Sequence, residues 1–256
     1  MPDSPATPSR IAIITGAGTG IGAACAAALA PDCSRLVLLG RRLEKLDEVA
    51  ADLRSAHPGL VVDTRSVDVT DVDAVEAFGA WGATELGVVD VLVNNAGSPQ
   101  PKGAQTLQEI ADAWESTFRA NALSVVLMTE ALKPILARPG GRIVTIGSFA
   151  AQMGTGSPAY ASAKGAIEVY TITLMRELGE AGITANVVAP GYTQGTELLT
   201  GRITPERHER LLAGNASRRP GSPEEIASAV AYLASPLAGY INGQVLTANG
   251  GAYLPG

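Results

Sequence analysis

The sequence contains few residues of the types that build disulfide frameworks, metal centres or histidine-based active sites. Its 256 residues include two cysteines, Cys25 and Cys33, which form no CxxC pattern. We therefore expect neither a disulfide framework nor a metal site, and we expect a reducing cytoplasmic location. The two histidines, His57 and His208, stand in surface-like contexts, one before a Pro-Gly turn and the other in a charged run. Proton chemistry must then use tyrosine, lysine, serine or carboxylate side chains.

Strong charge of one sign and long uninterrupted apolar runs are also missing. The net charge is −6, and the longest basic runs are the Arg-Arg pairs at 41–42 and 218–219, so nucleic acid is not an expected partner. Residues 11–31 carry no charge, but four glycines interrupt them, and residues 1–9 before them hold three prolines and no basic residue. This pattern argues against a signal peptide or membrane span. We expect a flexible tail over 1–9, a single domain over 10–256 and no membrane partner.

Short apolar runs rich in β-formers alternate with helical patterns along most of the chain. Continuous apolar strands separated by helices indicate a parallel sheet covered on both faces. The fold class predicted is therefore α/β, a doubly wound parallel sheet of the Rossmann type with helices on both faces. The predicted strands lie at 11–14, 36–39, 61–62, 91–93, 143–144 and 185–188, and the first two helices at 23–30 and 43–55.

A glycine-rich turn follows the first predicted strand, where residues 15–22 read Thr-Gly-Ala-Gly-Thr-Gly-Ile-Gly. Glycines permit a tight turn and a close backbone approach, and the following helix N-terminus presents unpaired N–H groups to a pyrophosphate. Placed in a βαβ unit, the turn predicts a dinucleotide site that includes Gly16, Thr19, Gly20 and Ile21.

The end of the second predicted strand bears on which dinucleotide binds. An NAD site usually places an acid there for the ribose 2′-hydroxyl, whereas an NADP site places an arginine near the 2′-phosphate. Here the sequence reads Gly40-Arg41-Arg42, and the next acid is Glu44. Guanidinium groups bind phosphate in a bidentate manner, so we predict NADP(H), with NAD(H) as the alternative. A pair of solvated arginines at a helix start is the competing interpretation.

A tyrosine and a lysine four residues apart are candidates for the proton chemistry. Tyr160 and Lys164 would share one face of a helix. A lysine cation favours the phenolate and so acts to lower the pKa of a phenol, ordinarily near ~10. Ser148 follows an apolar stretch where a strand would end, and its hydroxyl is placed to polarise a carbonyl.

These motifs together resemble those of the short-chain dehydrogenase/reductase family, and the likeness runs from Arg10 to Gly251. The resemblance covers the glycine turn, an adenine-contacting Asp68-Val69 pair and an Asn94-Asn95-Ala96-Gly97 motif that braces the sheet and lines the cofactor groove. It also covers Pro190-Gly191, where the chain turns beside the nicotinamide. The four residues in the positions of the family's catalytic set are Asn121, Ser148, Tyr160 and Lys164.

The resemblance implies a role for each of these four residues. Tyr160 is the general acid in reduction and the general base in oxidation, and Ser148 hydrogen-bonds the reacting oxygen. Lys164 lowers the pKa of Tyr160 and holds the nicotinamide ribose, while Asn121 positions a water on the proton path. After Pro190-Gly191 the sequence departs from the family pattern, so either Thr193 or Thr196 takes the remaining cofactor contact; Thr193 is included among the candidates.

The C-terminal third resembles the subgroup of 3-oxoacyl-carrier-protein reductases, related ketoreductases and secondary-alcohol dehydrogenases. Ser222, Pro223 and Glu225 predict a helix start with a capping box. Residues 240–246 resemble the last strand of that subgroup, and the resemblance implies that this region packs on a twofold-related copy in a homotetramer. Residues 192–217 are the expected substrate lid.

Phe149, Met153 and Tyr192 are candidates for an apolar pocket wall, with ordinary core packing as the alternative. No cluster of lysine or arginine stands out for a phosphopantetheine arm, although Arg119 and Arg202 are candidates. Three functions remain: an NADP(H)-dependent reductase of a ketone or 3-oxoacyl group, an NAD(H)-dependent secondary-alcohol dehydrogenase, and a non-catalytic dinucleotide sensor. Fold alone does not separate them.

Overall fold

The strands of the protein form one parallel sheet in a computed structural model that describes residues 10–196 and 203–252. The predicted tail over 1–9 lies outside the described residues. Across the sheet the strand order is β3-β2-β1-β4-β5-β6-β7. The strands are β1 Arg10–Thr15, β2 Cys33–Gly40, β3 Val61–Ser66, β4 Val91–Asn94, β5 Arg142–Ile146, β6 Thr184–Pro190 and β7 Val245–Ala248.

Helices cover both faces of this sheet. Helices α1, α2 and α9 contribute to the core on one face, and α3, α5 and α7 contribute to the core on the other. The helices are α1 Gly20–Leu29, α2 Leu43–Ala56, α3 Val72–Glu85, α4 Leu107–Phe118, α5 Ser124–Leu132, α6 Phe149–Met153, α7 Pro158–Leu178, α8 Pro205–Ala213 and α9 Pro223–Ala234. The predicted doubly wound Rossmann-type fold is therefore confirmed.

The strands are apolar on both sides because both of their faces are buried. Along β1, Ile14 packs into the core on one face and Ile13 into the core on the other, and both are fully buried. Burial of such a side chain contributes about 1.5–3 kcal/mol relative to exposure. This two-sided burial explains why the sequence shows apolar runs rather than alternation.

The uncharged segment that imitates a membrane span forms β1, the glycine turn and α1. Helix α1 packs against the sheet and against the neighbouring α9, which explains why it needs no charged face. Among the described helices, none combines the length and apolar character needed to cross a membrane.

Two local predictions hold and one is wrong in part. Ser222 caps α9, and Glu225 completes the capping box at its start, as the sequence indicates. The predicted strand over 240–246 begins only at Val245. Before it, Gly243 has φ +71°, outside the range of extended strand, and the Asn242 side chain accepts a hydrogen bond from the backbone N–H of Ala185.

Candidate active site

A cavity of about 800 Å³ opens at the carboxyl ends of the central strands. Its walls come from the segments that follow β1, β2, β3, β4, β5 and β6. Ligands bind at this edge of open parallel sheets because loops from both sides of the sheet diverge there. The cavity therefore stands where a Rossmann-type fold places its ligand.

The glycine turn after β1 forms one edge of this cavity, and Asn95 holds its shape. The Asn95 amide group donates to the carbonyl oxygens of Thr15 and Gly16 at 2.9 and 3.0 Å. The Thr15 hydroxyl in turn accepts from the backbone N–H of Asn95 at 2.9 Å. A Cβ atom on Gly22 would lie 2.1 Å from the Gly16 carbonyl oxygen, so this close approach requires glycine. The Asn-Asn-Ala-Gly segment thus braces the turn.

Helix α1 presents its N-terminus to the cavity. Thr19 is its N-cap residue, and the Thr19 side chain makes no capping hydrogen bond. Thr19, Gly20 and Ile21 all line the cavity. The positive end of the helix dipole and its N–H groups favour a phosphate at this position.

Basic side chains from the segment that follows β2 form another part of the cavity wall. Arg41, Arg42 and Lys45 line the cavity there, together with Asp68, which follows β3. Partial burial acts to raise the pKa of Asp68, but hydrogen bonds from the Thr70 N–H and hydroxyl, with the nearby Arg41 charge, outweigh it and lower that pKa. An ionised Asp68 turned toward Thr70 leaves this end of the cavity rich in positive charge.

These walls fit a nicotinamide dinucleotide. Gly16 has φ +65°, and a Cβ atom there would lie 2.9 Å from the Asn95 amide nitrogen, so both the backbone of the turn and its packing against Asn95 require glycine. A helix N-terminus lies beside it for the pyrophosphate, and guanidinium groups follow β2 for the adenosine end.

Ser148, Tyr160 and Lys164 meet at the opposite end of the cavity. Ser148 follows β5 as the N-cap residue of α6, where its hydroxyl accepts from the Ala150 N–H at 3.2 Å, and it lines the cavity together with Tyr160. Tyr160 and Lys164 lie on one face of α7, with Nζ of Lys164 5.8 Å from the centre of the Tyr160 ring. The Lys164 side chain is 3% exposed and donates to the carbonyl oxygen of Ile146 at 2.8 Å.

Burial shifts the pKa values of both titratable members of this group. It raises the pKa of Tyr160 to about 12, although the nearby Ser148 side chain acts in the opposite direction. It lowers the pKa of Lys164 to about 8. The expected net lowering at Tyr160 is therefore wrong for this arrangement, because loss of water around the phenol outweighs the favourable contacts. Lys164 is left close to its own titration point near neutral pH.

Asn121 lies within a π-helical turn, Arg119–Leu123, between α4 and α5. Its fully buried amide donates to the carbonyl oxygens of Ser98 and Thr117 at 2.8 and 2.9 Å, and its oxygen accepts from the Ser98 N–H at 3.2 Å. A Cβ atom on Gly97 would lie 2.7 Å from that oxygen. Asn121 thus ties the helix to the loop after β4, and π-helical turns of this kind occur often at functional sites.

The chain after β6 closes the remaining side. Pro190, Gly191, Thr193 and Thr196 all line the cavity, so both threonines stay candidates for the cofactor contact. The Thr193 hydroxyl donates to the carbonyl oxygen of Gly191 at 3.2 Å. Thr193 is the more deeply buried of the two.

The structure brings all of the sequence-predicted site residues to this one cavity. They are Gly16, Thr19, Gly20, Ile21, Arg41, Arg42, Asp68, Val69, Asn95, Ala96, Gly97, Asn121, Ser148, Tyr160, Lys164, Pro190, Gly191 and Thr193. Phe149 and Tyr192 line it as expected, whereas Met153 does not and is 44% exposed.

Two expectations about basic residues and histidine need correction. Arg119 is not among the lining residues, because its guanidinium donates to the carbonyl oxygen of Thr70, and Arg202 lies outside the described residues. His208 is half-buried rather than at the surface, with Nδ1 2.8 Å from the Tyr192 hydroxyl. Lys102 and Arg207 also line the cavity, and neither is among the site residues predicted from the sequence. Lys102 follows β4, so its position after a strand end was the one available signal.

Comparison with known proteins agrees with this geometry. The model of a family described as enoyl-(acyl carrier protein) reductase matches residues 16–253. The 3-oxoacyl-(acyl-carrier-protein) reductase FabG of Escherichia coli (strain K12) is 34% identical over 247 residues, covering 96% of this chain and 98% of that protein. The cis-4-hydroxycyclohexanecarboxylate dehydrogenase of Sinomonas cyclohexanicum is 37% identical over 245 residues, 94% of this chain and 96% of that one.

Two solved structures share both the fold and part of the sequence. A 7α-hydroxysteroid dehydrogenase complexed with NADH and 7-oxo glycochenodeoxycholic acid superposes with a TM-score of 0.85 at 31% identity, covering 95% of this chain and 94% of that one. A variant of actinorhodin polyketide ketoreductase with NADPH has a TM-score of 0.84 at 32% identity, covering 95% and 97%. With the matching family model, these relatives show that the chain belongs to the short-chain dehydrogenase/reductase family, nicotinamide-dependent oxidoreductases that act on alcohol and carbonyl groups.

Proposed function

We propose that this protein is an NADP(H)-dependent reductase that converts a ketone or 3-oxoacyl group reversibly into a secondary alcohol. The observation that carries the proposal is that Ser148, Tyr160 and Lys164 line the same cavity as the glycine turn, with Nζ of Lys164 5.8 Å from the centre of the phenol ring. Two hydroxyl groups on the wall of one cavity can both bind a single carbonyl oxygen.

In this mechanism the nicotinamide supplies a hydride to the carbonyl carbon, and the residues of the chain handle the oxygen. The Tyr160 phenol donates its proton to that oxygen as the negative charge develops, while the Ser148 hydroxyl donates a hydrogen bond to the same oxygen. A Lys164 cation favours the resulting phenolate and holds the nicotinamide ribose. In oxidation the phenolate takes the alcohol proton back.

Asn121 acts in this scheme as a positioning residue. Its side-chain amide and oxygen are engaged with Ser98 and Thr117, so the side chain fixes the π-helical turn against the loop after β4. We propose that the backbone of this turn places the water that continues the proton path from Lys164.

The preference for NADP(H) rests on Arg41, with Arg42 assisting. Both line the cavity where β2 ends, at the position where NAD-binding relatives of this fold usually place an acid. Parallel fluorescence titrations with NADPH and NADH test this without any substrate. We expect NADPH to bind about tenfold more tightly or better, since a charge-assisted contact to the 2′-phosphate contributes about 1.5–3 kcal/mol. Equal or tighter binding of NADH would contradict the assignment.

An NAD(H)-dependent secondary-alcohol dehydrogenase is the second candidate. It is favoured by the similarity to the 7α-hydroxysteroid dehydrogenase that was solved with NADH. Comparison of kcat/KM for both cofactors in both directions separates the two candidates. Turnover of a ketone panel that depends on Tyr160 would eliminate the third candidate, the non-catalytic sensor.

We further propose that the protein assembles as a homotetramer in the cytoplasm. Two separate apolar surfaces support the assembly. The first is formed by Leu107, Ile110 and Trp114 of α4 with Val169 and Ile172 of the adjacent α7, and the second by Leu237, Tyr240 and Leu246 beside β7. A tetramer of twofold symmetry needs at least two self-complementary surfaces. The location follows from two free, buried cysteines.

A further inference from the structure

The charges on the cavity wall are distributed unevenly. Among the described lining residues, Asp68 is the one carboxylate, and it lies after β3 on the side of Arg41. At the other end, around Ser148 and Tyr160, the described wall contains no acidic side chain. A negatively charged substrate entering that end would therefore meet no repulsive carboxylate.

Two further cationic side chains line the cavity, one from the chain after β4 and one from the chain after β6. Lys102 lies in the loop between β4 and α4, and Arg207 lies in the first turn of α8. Both are exposed at the cavity mouth in this structure. They come from separate parts of the chain and converge on one opening. Charges lining a cleft with low-dielectric walls attract a substrate of opposite sign.

Helix α8 is held so that Arg207 faces the cavity. The Thr204 hydroxyl caps the helix by accepting from the Arg207 N–H at 3.2 Å. One residue further on, His208 Nδ1 lies 2.8 Å from the Tyr192 hydroxyl, and the two rings meet edge to face at 5.6 Å. Because Tyr192 follows β6 directly, this contact joins the helix to the end of the sheet.

The same helix supplies apolar contacts beside the cation. Leu211, one turn after Arg207, lines the cavity, as does Ile203 before the helix. The acidic residues Glu206 and Glu209 are not among the lining residues. Phe149 adds a further apolar side chain near Ser148. The substrate end thus combines an apolar wall with positive charge at its mouth.

We propose that the substrate is a keto or hydroxy acid, whose free carboxylate is bound by Arg207 and Lys102 while its carbonyl or alcohol group lies at Ser148 and Tyr160. This inference rests on the function proposed above. In reduction, the cofactor's hydride goes to the carbonyl carbon and the Tyr160 proton to its oxygen, and the carboxylate is unchanged. Arg207 and Lys102 are therefore specificity-determining residues and take no part in the proton transfer.

The test compares each carboxylate with its neutral carboxamide of nearly equal size. Suitable pairs are 4-oxocyclohexanecarboxylate and 4-oxopentanoate with their carboxamides, each assayed with NADPH for kcat/KM. The corresponding hydroxy acids and hydroxy amides, which cannot react with the reduced cofactor, are titrated into the enzyme–NADPH complex for Kd. We expect each acid to be preferred about tenfold in both measurements, since hydrogen bonds to charged groups contribute about 1.5–3 kcal/mol.

Two variants test whether Arg207 and Lys102 cause the preference for the acid over the carboxamide. Arg207→Gln and Lys102→Gln should each reduce the preference for the acid by at least about threefold, with little effect on the carboxamides. Arg210→Gln is the matched control, because Arg210 is on α8 with Arg207 but does not line the cavity. The Arg210→Gln enzyme should prefer the acid over the carboxamide as strongly as the wild type does.

Three results have distinct meanings. Equal use and equal binding of acid and amide, or a preference that survives in both cavity variants, would overturn the inference and leave the proposed function intact. A clear preference for a neutral 3-oxoacyl thioester over every acid would overturn it in favour of an acyl-carrier substrate. Tighter binding of the acids without turnover of any carbonyl compound would support the anion site and overturn the proposed function.

Discussion

The Lys164 side chain donates to the carbonyl oxygen of Ile146 at 2.8 Å, so the last residue of β5 fixes the lysine of α7. Two residues beyond Ile146, Ser148 lines the same cavity as Tyr160. The strand end and the helix therefore bring the three candidate side chains to one cavity. Burial in this position removes water from around the Lys164 ammonium group, and this loss of hydration lowers its pKa to about 8.

Replacement of the proposed acid should remove most of the activity. In Tyr160→Phe the proton donor is lost while the aromatic ring remains, and we expect kcat to fall by about 100-fold or more. NADPH affinity should change little. Tyr170→Phe is the control, since Tyr170 lies on the same helix and bonds to Glu130 away from the cavity. A Tyr160→Phe enzyme with near-full activity would contradict the mechanism.

The rate of alcohol oxidation should rise with pH, because the base is the phenolate and its pKa is raised by burial. Below its own pKa of about 8, Lys164 is a cation 5.8 Å from the centre of the ring and favours the phenolate. In Lys164→Met the rise should therefore move to higher pH, and cofactor binding should weaken. The check is a pH–rate profile of both enzymes. A profile of unchanged shape would mean that Lys164 only holds the ribose.

The same variant should be more stable than the wild type near pH 7. Burial lowers the pKa of Lys164 from 10.5 to about 8, so the folded state binds fewer protons than the unfolded state between these values. Stability from this group therefore rises with pH between about 8 and 10.5 and is at its lowest below 8. Removing the lysine should raise the free energy of unfolding at pH 7 by roughly 2 kcal/mol, after allowing for the lost hydrogen bond to Ile146.

Urea titrations at pH 7 and pH 9.5 measure this effect. The gain should be smaller at pH 9.5, where the wild-type lysine is already largely neutral in the folded state. This range stays below the pH at which Tyr160 titrates in the folded protein. A Lys164→Met protein less stable than the wild type at pH 7 would show that the burial cost of Lys164 is offset by its contacts.

Reversal of charge at the end of β2 should change the cofactor preference. In Arg41→Glu a carboxylate faces the 2′-phosphate, and we expect NADPH affinity to fall by about tenfold or more while NADH affinity is kept or improved. Fluorescence titration with both cofactors gives the ratio. Arg138→Glu is the control, a charge reversal outside the cavity. An Arg41→Glu protein that retains its NADPH affinity would contradict the proposed contact between Arg41 and the 2′-phosphate.

Charge introduced on the α4–α7 surface should break the proposed tetramer. Val169 is 66% exposed on α7, and in a tetramer Val169→Glu would bury a carboxylate without a partner. We expect a lower mass by light scattering after size-exclusion chromatography. Val88→Glu, at an exposed valine in the loop before β4, should keep the wild-type mass. A wild-type monomer would contradict the assembly.

Local sequence patterns determined the main lines of the fold and of the reactive group. The parallel sheet covered on both faces follows from alternating apolar runs and helices, and the turn at 15–22 was recognisable because only glycine permits its backbone approach. Tyr160 and Lys164 were paired correctly because helical periodicity alone puts them on one face. The strand predicted over 240–246 was wrong at its start, where Asn242 binds the neighbouring strand through its side chain.

Tertiary structure alone decided the electrostatics of the site and which side chains line it. The raised pKa of Tyr160 reflects loss of water in the folded protein, which no spacing of residues reveals. Lys102 and Arg207 are distant in the chain and belong to no motif, yet the folded loops bring them to one mouth. The Tyr192–His208 contact likewise depends on how α8 is set against β6. Sequence periodicity specifies which face of an element is buried, whereas the packing of one element on another determines which side chains meet.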